Sequence, residues 1–321
     1  MENPSPELEY VIIPDENFEK ALIQYKIDSV QDGKVLKSNV LKVTSLSMSS
    51  SPEDIKNTYG KIKDLTGIEA FANLKTLKCI YNELTKLDIS KNTALTELWC
   101  YSNNLTVLDV SKRTELEVLR CGGNQLTNLD ITKNKRLRVF DCYGNKLKNL
   151  DISQNTSLKE LGYADNKLLY VDLSKNTSLE RLDCNYTSIN TLDVTHNTKL
   201  VYLSCSINKL TSLDLSKNTS LQVLNCSSNA LPILDVSKNV ELVSLNCYDN
   251  KLVNLDLQKN TLIDVLNCVG NQLNSLDVSK INNLTQLYCG FNNMETICVN
   301  SLNQVKPAWD KDAKATYKVC P

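Results

Sequence analysis

The sequence predicts an α/β solenoid: a right-handed superhelix of short parallel strands on its concave face, an irregular convex side and a short helical cap at its start. Three observations carry this. A 21-residue unit, seen in LVYLSCSINKLTSLDLSKNTS from Leu200 to Ser220, recurs without insertion in eleven frames that start at Leu74, Leu95, Leu116, Leu137, Leu158, Leu179, Leu200, Leu221, Leu242, Ile263 and Leu284. Within each frame the apolar residues near the start alternate as they do in a strand. One amphipathic stretch, and only one, precedes the repeats.

A fixed period of this length containing L-x-x-L-x-(L/C)-x-x-N-x-L is the pattern of a leucine-rich repeat. In the frame from Leu200, Leu203 and Cys205 point inward while Tyr202, Ser204 and Ser206 point outward. Each coil therefore contributes one short strand, and stacked coils set these strands about 4.8 Å apart in a parallel sheet. A single coil cannot bury enough apolar surface to offset the entropy of ordering it, so neighbours share one continuous core and the two ends need caps.

Two polar columns run through the frames. Asparagine recurs at position 9 from Asn82 to Asn292, broken only by Thr187. This regularity suits a buried ladder whose amides satisfy backbone groups at the turn out of the strand, with the Thr187 coil expected to be looser. Aspartate recurs at position 15 from Asp88 to Asp277, followed three residues later mostly by lysine. We expect these carboxylates to accept backbone N–H bonds at a tight turn, with Ser or Thr assisting. Calcium is the rival reading, opposed by the adjacent lysines and by its need for six to eight oxygens. No metal or cofactor is expected.

From its start, the chain opens with a polar leader over residues 1–8. An N-terminal cap follows over 9–61, with a helix expected over 15–27 because Phe18, Ala21, Leu22 and Tyr25 share one face and Asp15 can cap it. The loop from Ile27 to Gly33 lacks the acidic series of a calcium loop and reads as a turn. Val43 to Ser49 has the spacing of L-T-x-L-D-V-S and reads as a degenerate first coil, interrupted by an insertion from Ser50 to Lys61. Repeats span 62–296, and a C-terminal cap closes the chain over 297–321.

The segment IKDLTGIEAFANL from Ile62 to Leu74 resembles the repeats of internalins and related bacterial surface proteins. The helix IPDENFEKAL followed by LDVSKNT-type coils is similar to secreted bacterial leucine-rich repeat proteins with 21-residue units. The resemblance spans residues 11–320 and implies a bacterial protein that is extracellular or on the outer cell surface. It implies no particular ligand, since such folds serve many partners.

Twelve cysteines need explanation. Ten lie at position 6, from Cys79 to Cys289, where Tyr163 fills the one missing step. Parallel Cβ vectors oppose disulfides between neighbours, and a straight column offers no tetrahedral zinc site, so these read as buried free thiols. Cys298 and Cys320 bracket the terminal cap with Trp309 and Tyr317. A disulfide there would staple the cap, as in the bacterial proteins that look similar at this point; two unpaired thiols are the alternative.

The 36 basic and 37 acidic residues leave a net charge of −1, which offers no polycationic face to nucleic acid or anionic lipid. No apolar run approaches the roughly 18 residues of a spanning helix. The one histidine, His196, occupies the lysine column, and no G-x-S-x-G, H-E-x-x-H or phosphate-binding loop occurs, so no enzyme is expected. Function should lie where the repeat varies. Outward positions 5 and 7 place Trp99, Tyr101, Arg120, Asp141 and Tyr143 on one face of adjacent coils, against small polar residues such as Asn225 and Asn246 later. These residues predict a monomeric module that binds a protein partner, with a glycan as the second possibility.

Overall fold

The computed structural model describes residues 8–50 and 58–320. The expected leader, apart from Leu8, and most of the insertion after Ser50 lie outside the described residues. The chain forms a parallel solenoid that divides into two compact units, 1–155 and 156–321. No helix among the described residues is long and apolar enough to cross a membrane.

The first unit begins with β1 (Tyr10–Ile12), helix α1 (Glu16–Gln24) and β2 (Lys34–Leu36), with β1 and β2 antiparallel. Asp15 starts the helix: its Oδ1 accepts the N–H groups of Asn17 and Phe18, both at 2.9 Å. Its Oδ2 accepts from Lys63 and Asp64 at 2.8 and 3.0 Å, so one side chain ties the helix to the first repeats. Phe18, Ala21 and Leu22 are buried, with Phe18 packed on Phe71. The helix stops at Gln24, short of the expected Ile27. Lys26 takes a left-handed conformation (φ 59°), and the Ile27 N–H turns back to the Leu22 carbonyl, which ends the ladder. A further turn, α2 (Lys37–Val40), carries no pattern in the sequence long enough to announce it.

β3 (Ser45–Ser47) then pairs in parallel with β4 (Thr76–Lys78), Leu46 standing opposite Leu77. A first coil therefore exists, but its alignment differs from the expected one. Val43 to Ser49 matches the strand half of the repeat, L-x-x-L-x-C, with Met48 fully buried in the cysteine position. The two halves share the same apolar spacing, so the sequence alone did not separate them. β5 (Glu97–Trp99), β6 (Val118–Arg120) and β7 (Val139–Asp141) continue in strict 21-residue register.

The second unit holds β8 (Glu160–Gly162), β9 (Arg181–Asp183), β10 (Tyr202–Ser204), β11 (Val223–Asn225), β12 (Ser244–Asn246) and β13 (Val265–Asn267) in the same parallel register. β14 (Ser275–Asp277) leaves that row, and β15 (Gln286–Tyr288) pairs with β13. β14, β16 (Thr296–Val299) and β17 (Thr316–Val319) form a separate parallel sheet in the terminal cap.

The asparagine ladder does what the turn requires. Asn103 donates through Nδ2 to the carbonyls of Cys79 and Cys100, at 2.8 and 3.1 Å, and accepts the Leu84 N–H at 3.0 Å. One amide thus joins two coils and closes its own. Immediately before it, position 8 is left-handed in every frame, from Tyr81 (φ 57°) to Phe291 (φ 53°), including Ile207 (φ 52°). At Thr187 the hydroxyl donates to the Cys184 carbonyl at 3.0 Å, but among the described residues its side chain makes no bond back to the preceding coil.

A second buried ladder was not read from the sequence. Asn134 donates to the carbonyls of Val110 and Arg113, and Asn218 to those of Val194 and Asn197, at 2.7 to 3.0 Å. Arg113 replaces asparagine once, almost fully buried, its guanidinium donating to the carbonyls of Ile89 and Ser90. At the far end the buried Gln304 donates to the carbonyls of Val278 and Ile281, so the terminal cap supplies the amide that the next coil would have provided.

The aspartates close Asx turns: Ser111 donates its N–H to Asp109 and Ser216 to Asp214, both at 2.9 Å. The hydroxyl and N–H of Ser111 hold the Asp109 carboxyl below the usual carboxylate range, and the N–H and hydroxyl of Ser216 do the same for Asp214. The ten column cysteines are buried and outside any disulfide, while Cys298 and Cys320 form a disulfide with Cα atoms 5.4 Å apart. Burial pushes the thiols of Cys79, Cys184 and Cys226 up to about 12. Trp309 is buried in the terminal cap, its indole N–H on the Thr285 carbonyl.

Three predictions follow from this scaffold. Thr187→Asn should restore the missing inter-coil bonds and stabilise the protein by about 1 kcal/mol; a lower urea midpoint than the parent would refute the account of the ladder. Native protein should leave the ten column thiols unmodified by a maleimide, whereas denatured, unreduced protein should label those ten and spare Cys298 and Cys320. Peptide mapping reads both states, and a linked pair within the column would overturn the geometry. The lowered aspartate values stabilise the fold above the unfolded value near pH 4, and this contribution is lost as pH falls through the folded values. Acid unfolding followed by circular dichroism should therefore begin below about pH 4, and Asp109→Asn should flatten it.

Candidate functional site

The sheet of the first unit carries its largest outward side chains on β4 to β7. Register places Lys78 beside Trp99, Trp99 beside Arg120, and Arg120 beside Asp141, one strand apart. The Lys78 ammonium lies 3.9 Å from the centroid of the Trp99 ring and the Arg120 guanidinium carbon 5.2 Å from it. Arg120 Nη1 is 3.7 Å from Asp141 Oδ2, and Lys78 Nζ is 3.5 Å from Glu97 Oε1.

Beside this row runs a cluster of tyrosines. The rings of Trp99 and Tyr101 are 6.2 Å apart, and Tyr81 meets Tyr101 edge-on at 5.4 Å. Tyr143 lies across Gly122: a Cβ added there would come within 2.2 Å of its ring. Only glycine lets that ring fold down over the strand. Burial, with Tyr81 and Tyr143 close by, raises the Tyr101 hydroxyl above the ordinary tyrosine range.

The five residues singled out by sequence thus share one face. Trp99, Tyr101 and Arg120 stand in mutual reach, and Asp141 joins them through Arg120. Lys78, Glu97, Gly122 and Tyr81 belong to the same surface and were missed as site residues. Lys78 was visible as a position 5 residue. Tyr81 was not, because strand alternation sends position 8 inward, whereas the left-handed turn brings it out.

Asp141 has a second task. Its Oδ1 accepts the Tyr143 N–H at 3.1 Å, as Asn225 accepts from Ser227 and Asn246 from Tyr248, each at 3.2 Å. Asx residues at position 5 therefore close the strand end.

Elsewhere, Glu19, Asp28 and Asp32 bring carboxylate oxygens within 4.8 Å of one another at the Ile27 to Gly33 turn. Glu19 Oε1 accepts the N–H groups of Asp32 and Gly33, and Lys34 Nζ lies 3.8 Å from Asp32. These contacts fasten the turn itself. His196 is exposed in the lysine column.

No family model matches the chain, and no curated protein matches it. Solved structures do. The functional domain of InlJ from Listeria monocytogenes, described as including a cysteine ladder, is 29% identical with a TM-score of 0.69, covering 92% of this chain and 77% of that one. The internalin InlF from Listeria monocytogenes has a TM-score of 0.78 at 19% identity, covering 95% of both chains. The leucine-rich repeat protein LIC12759 of Leptospira interrogans has a TM-score of 0.69 at 22% identity, covering 86% of this chain and 85% of that one. With the 21-residue coils, the asparagine ladder and the cysteine column already in view, these likenesses show that the chain has a leucine-rich repeat fold like that of the internalins.

Proposed function

We propose that the chain is a non-catalytic binding module, extracellular or on the outer surface of a bacterium, that recognises a protein partner through the sheet of its first unit. The observation that supports this is the run of Lys78, Trp99 and Arg120 on successive strands, with Tyr81, Tyr101 and Tyr143 alongside. Trp, Tyr and Arg are the residue types that dominate protein interfaces, because they combine rigid apolar area with a polar edge or a fork of donors. Trp99 closes no turn, so the scaffold does not account for it.

A sugar that stacks on an aromatic side chain needs an open ring face. The Lys78 ammonium, 3.9 Å from the Trp99 centroid, covers one such face, which weighs against a glycan at this point. A catalytic reading finds little support. The column thiols are buried, four of them pushed up to about 12, and the one histidine is an exposed surface substitution.

A pull-down with the full chain against host and bacterial surface extracts should yield a partner whose affinity drops with Trp99→Ala and Arg120→Ala, each by about 2 kcal/mol or more. Asn225→Ala and Asn246→Ala should change it little. Gly122→Ala should weaken binding as well, by lifting Tyr143 off the strand without removing any contact atom. If Trp99→Ala and Arg120→Ala bind like the parent while Asn246→Ala does not, the site lies on the second unit and this reading fails.

A further inference from the structure

Lys78 and Arg120 project from strands on opposite sides of β5, and both cations lie against the indole that stands between them. This arrangement has an electrostatic consequence. The faces of an indole are negative and attract cations, while its edge is positive. With two cations held against the ring, its edge lies close to positive charge. The indole N–H lies on that edge, and it is buried without an acceptor among the described residues. Leaving a buried donor unmet is costly, so an incoming acceptor gains more here than at an exposed donor.

The existing counter-charges are off to the flanks. Glu97 attends Lys78 at 3.5 Å, and Asp141 Oδ2 lies 3.7 Å from Arg120 Nη1. All four charged side chains are about 30% exposed, so they sit where solvent screens them less than at an open surface. Asp141 is also committed to the Tyr143 N–H.

We infer that Lys78, Trp99 and Arg120 form a receptor for a carboxylate, the side chain of an Asp or Glu on a protein partner. The carboxylate seats against the indole edge, bridges the two cations and accepts the indole N–H. Lys78 and Arg120 reach the ring on long flexible stems, so they swing aside to admit it on the timescale of side-chain rotation. The inference rests on the protein-binding reading above and adds the chemistry of the contact.

The chain has two tryptophans, so protein labelled with 15N at tryptophan gives two indole N–H signals. Trp309, whose N–H is held by the Thr285 carbonyl, is the internal control. The full chain is titrated with Ac-Gly-Glu-Gly-NH2 and with Ac-Gly-Gln-Gly-NH2 at constant ionic strength. The Glu peptide should move the Trp99 signal saturably, with a Kd on the order of 1–10 mM, and the Gln peptide should not. Lys78→Gln should weaken the response about tenfold, and Lys78→Arg should retain it. Equal responses to both peptides, no response, an equal response at Trp309, or an unchanged response in Lys78→Gln would each overturn the inference. The readout needs no macromolecular partner. It can fail while Trp99→Ala still abolishes partner binding, so failure of the carboxylate contact is distinguishable from failure of the protein-binding reading.

Discussion

The interaction on which the rest of the structure depends is the buried amide at the end of each strand. A strand that stacks on its neighbours every 21 residues must turn sharply after a few residues, and the turn strands backbone groups inside the core. Asn103 meets the Leu84 N–H and the Cys79 and Cys100 carbonyls at once, which a hydroxyl or a methyl group cannot do. Its predecessor lies in the left-handed region. A non-glycine residue there costs on the order of 1–2 kcal/mol, yet Ile207 and Phe291 accept it.

What was legible in the sequence follows from the repeat. A fixed period and fixed inward columns are visible by counting, so strand positions, the cysteine column and the turn-closing aspartates could be placed residue by residue. Features without a residue signature were harder to see. The left-handed position carries glycine at Gly123, Gly144 and Gly270 but Tyr, Ser, Asp, Ile or Phe elsewhere, so its conformation was hidden and Tyr81 was left off the candidate surface. The first coil was aligned with the wrong half of the repeat because L-x-x-L occurs in both halves. The helix end was overrun because Tyr25 and Ile27 are apolar, while the left-handed turn at Lys26 has no sequence mark.

The cysteine column belongs to the same constraint. Along most of the column a cysteine carbonyl receives an asparagine amide from its own coil and another from the next, as Cys100 does from Asn103 and Asn124. The side chain there must fill an inward strand site beneath two converging amides, which favours a small apolar group. Cysteine behaves as one, and burial keeps it from ionising. The reactivity usually associated with the residue is suppressed by the packing that makes it useful.

The same reasoning narrows where recognition can reside. Positions 1, 4 and 6 belong to the core, and positions 9, 15 and 19 to the turns. Even at outward position 5, Asp or Asn is drawn into closing the strand, as at Asp141, Asn225 and Asn246. A large side chain at that position forgoes this bond, so its presence needs another cause. On β4, β5 and β6 three consecutive coils forgo it, with Lys78, Trp99 and Arg120, and the Lys78 and Arg120 side chains converge on the Trp99 ring. Drift at an unconstrained surface gives no reason for such convergence. The ligand surface proposed above would give one, because such a contact must be built from neighbouring coils at once.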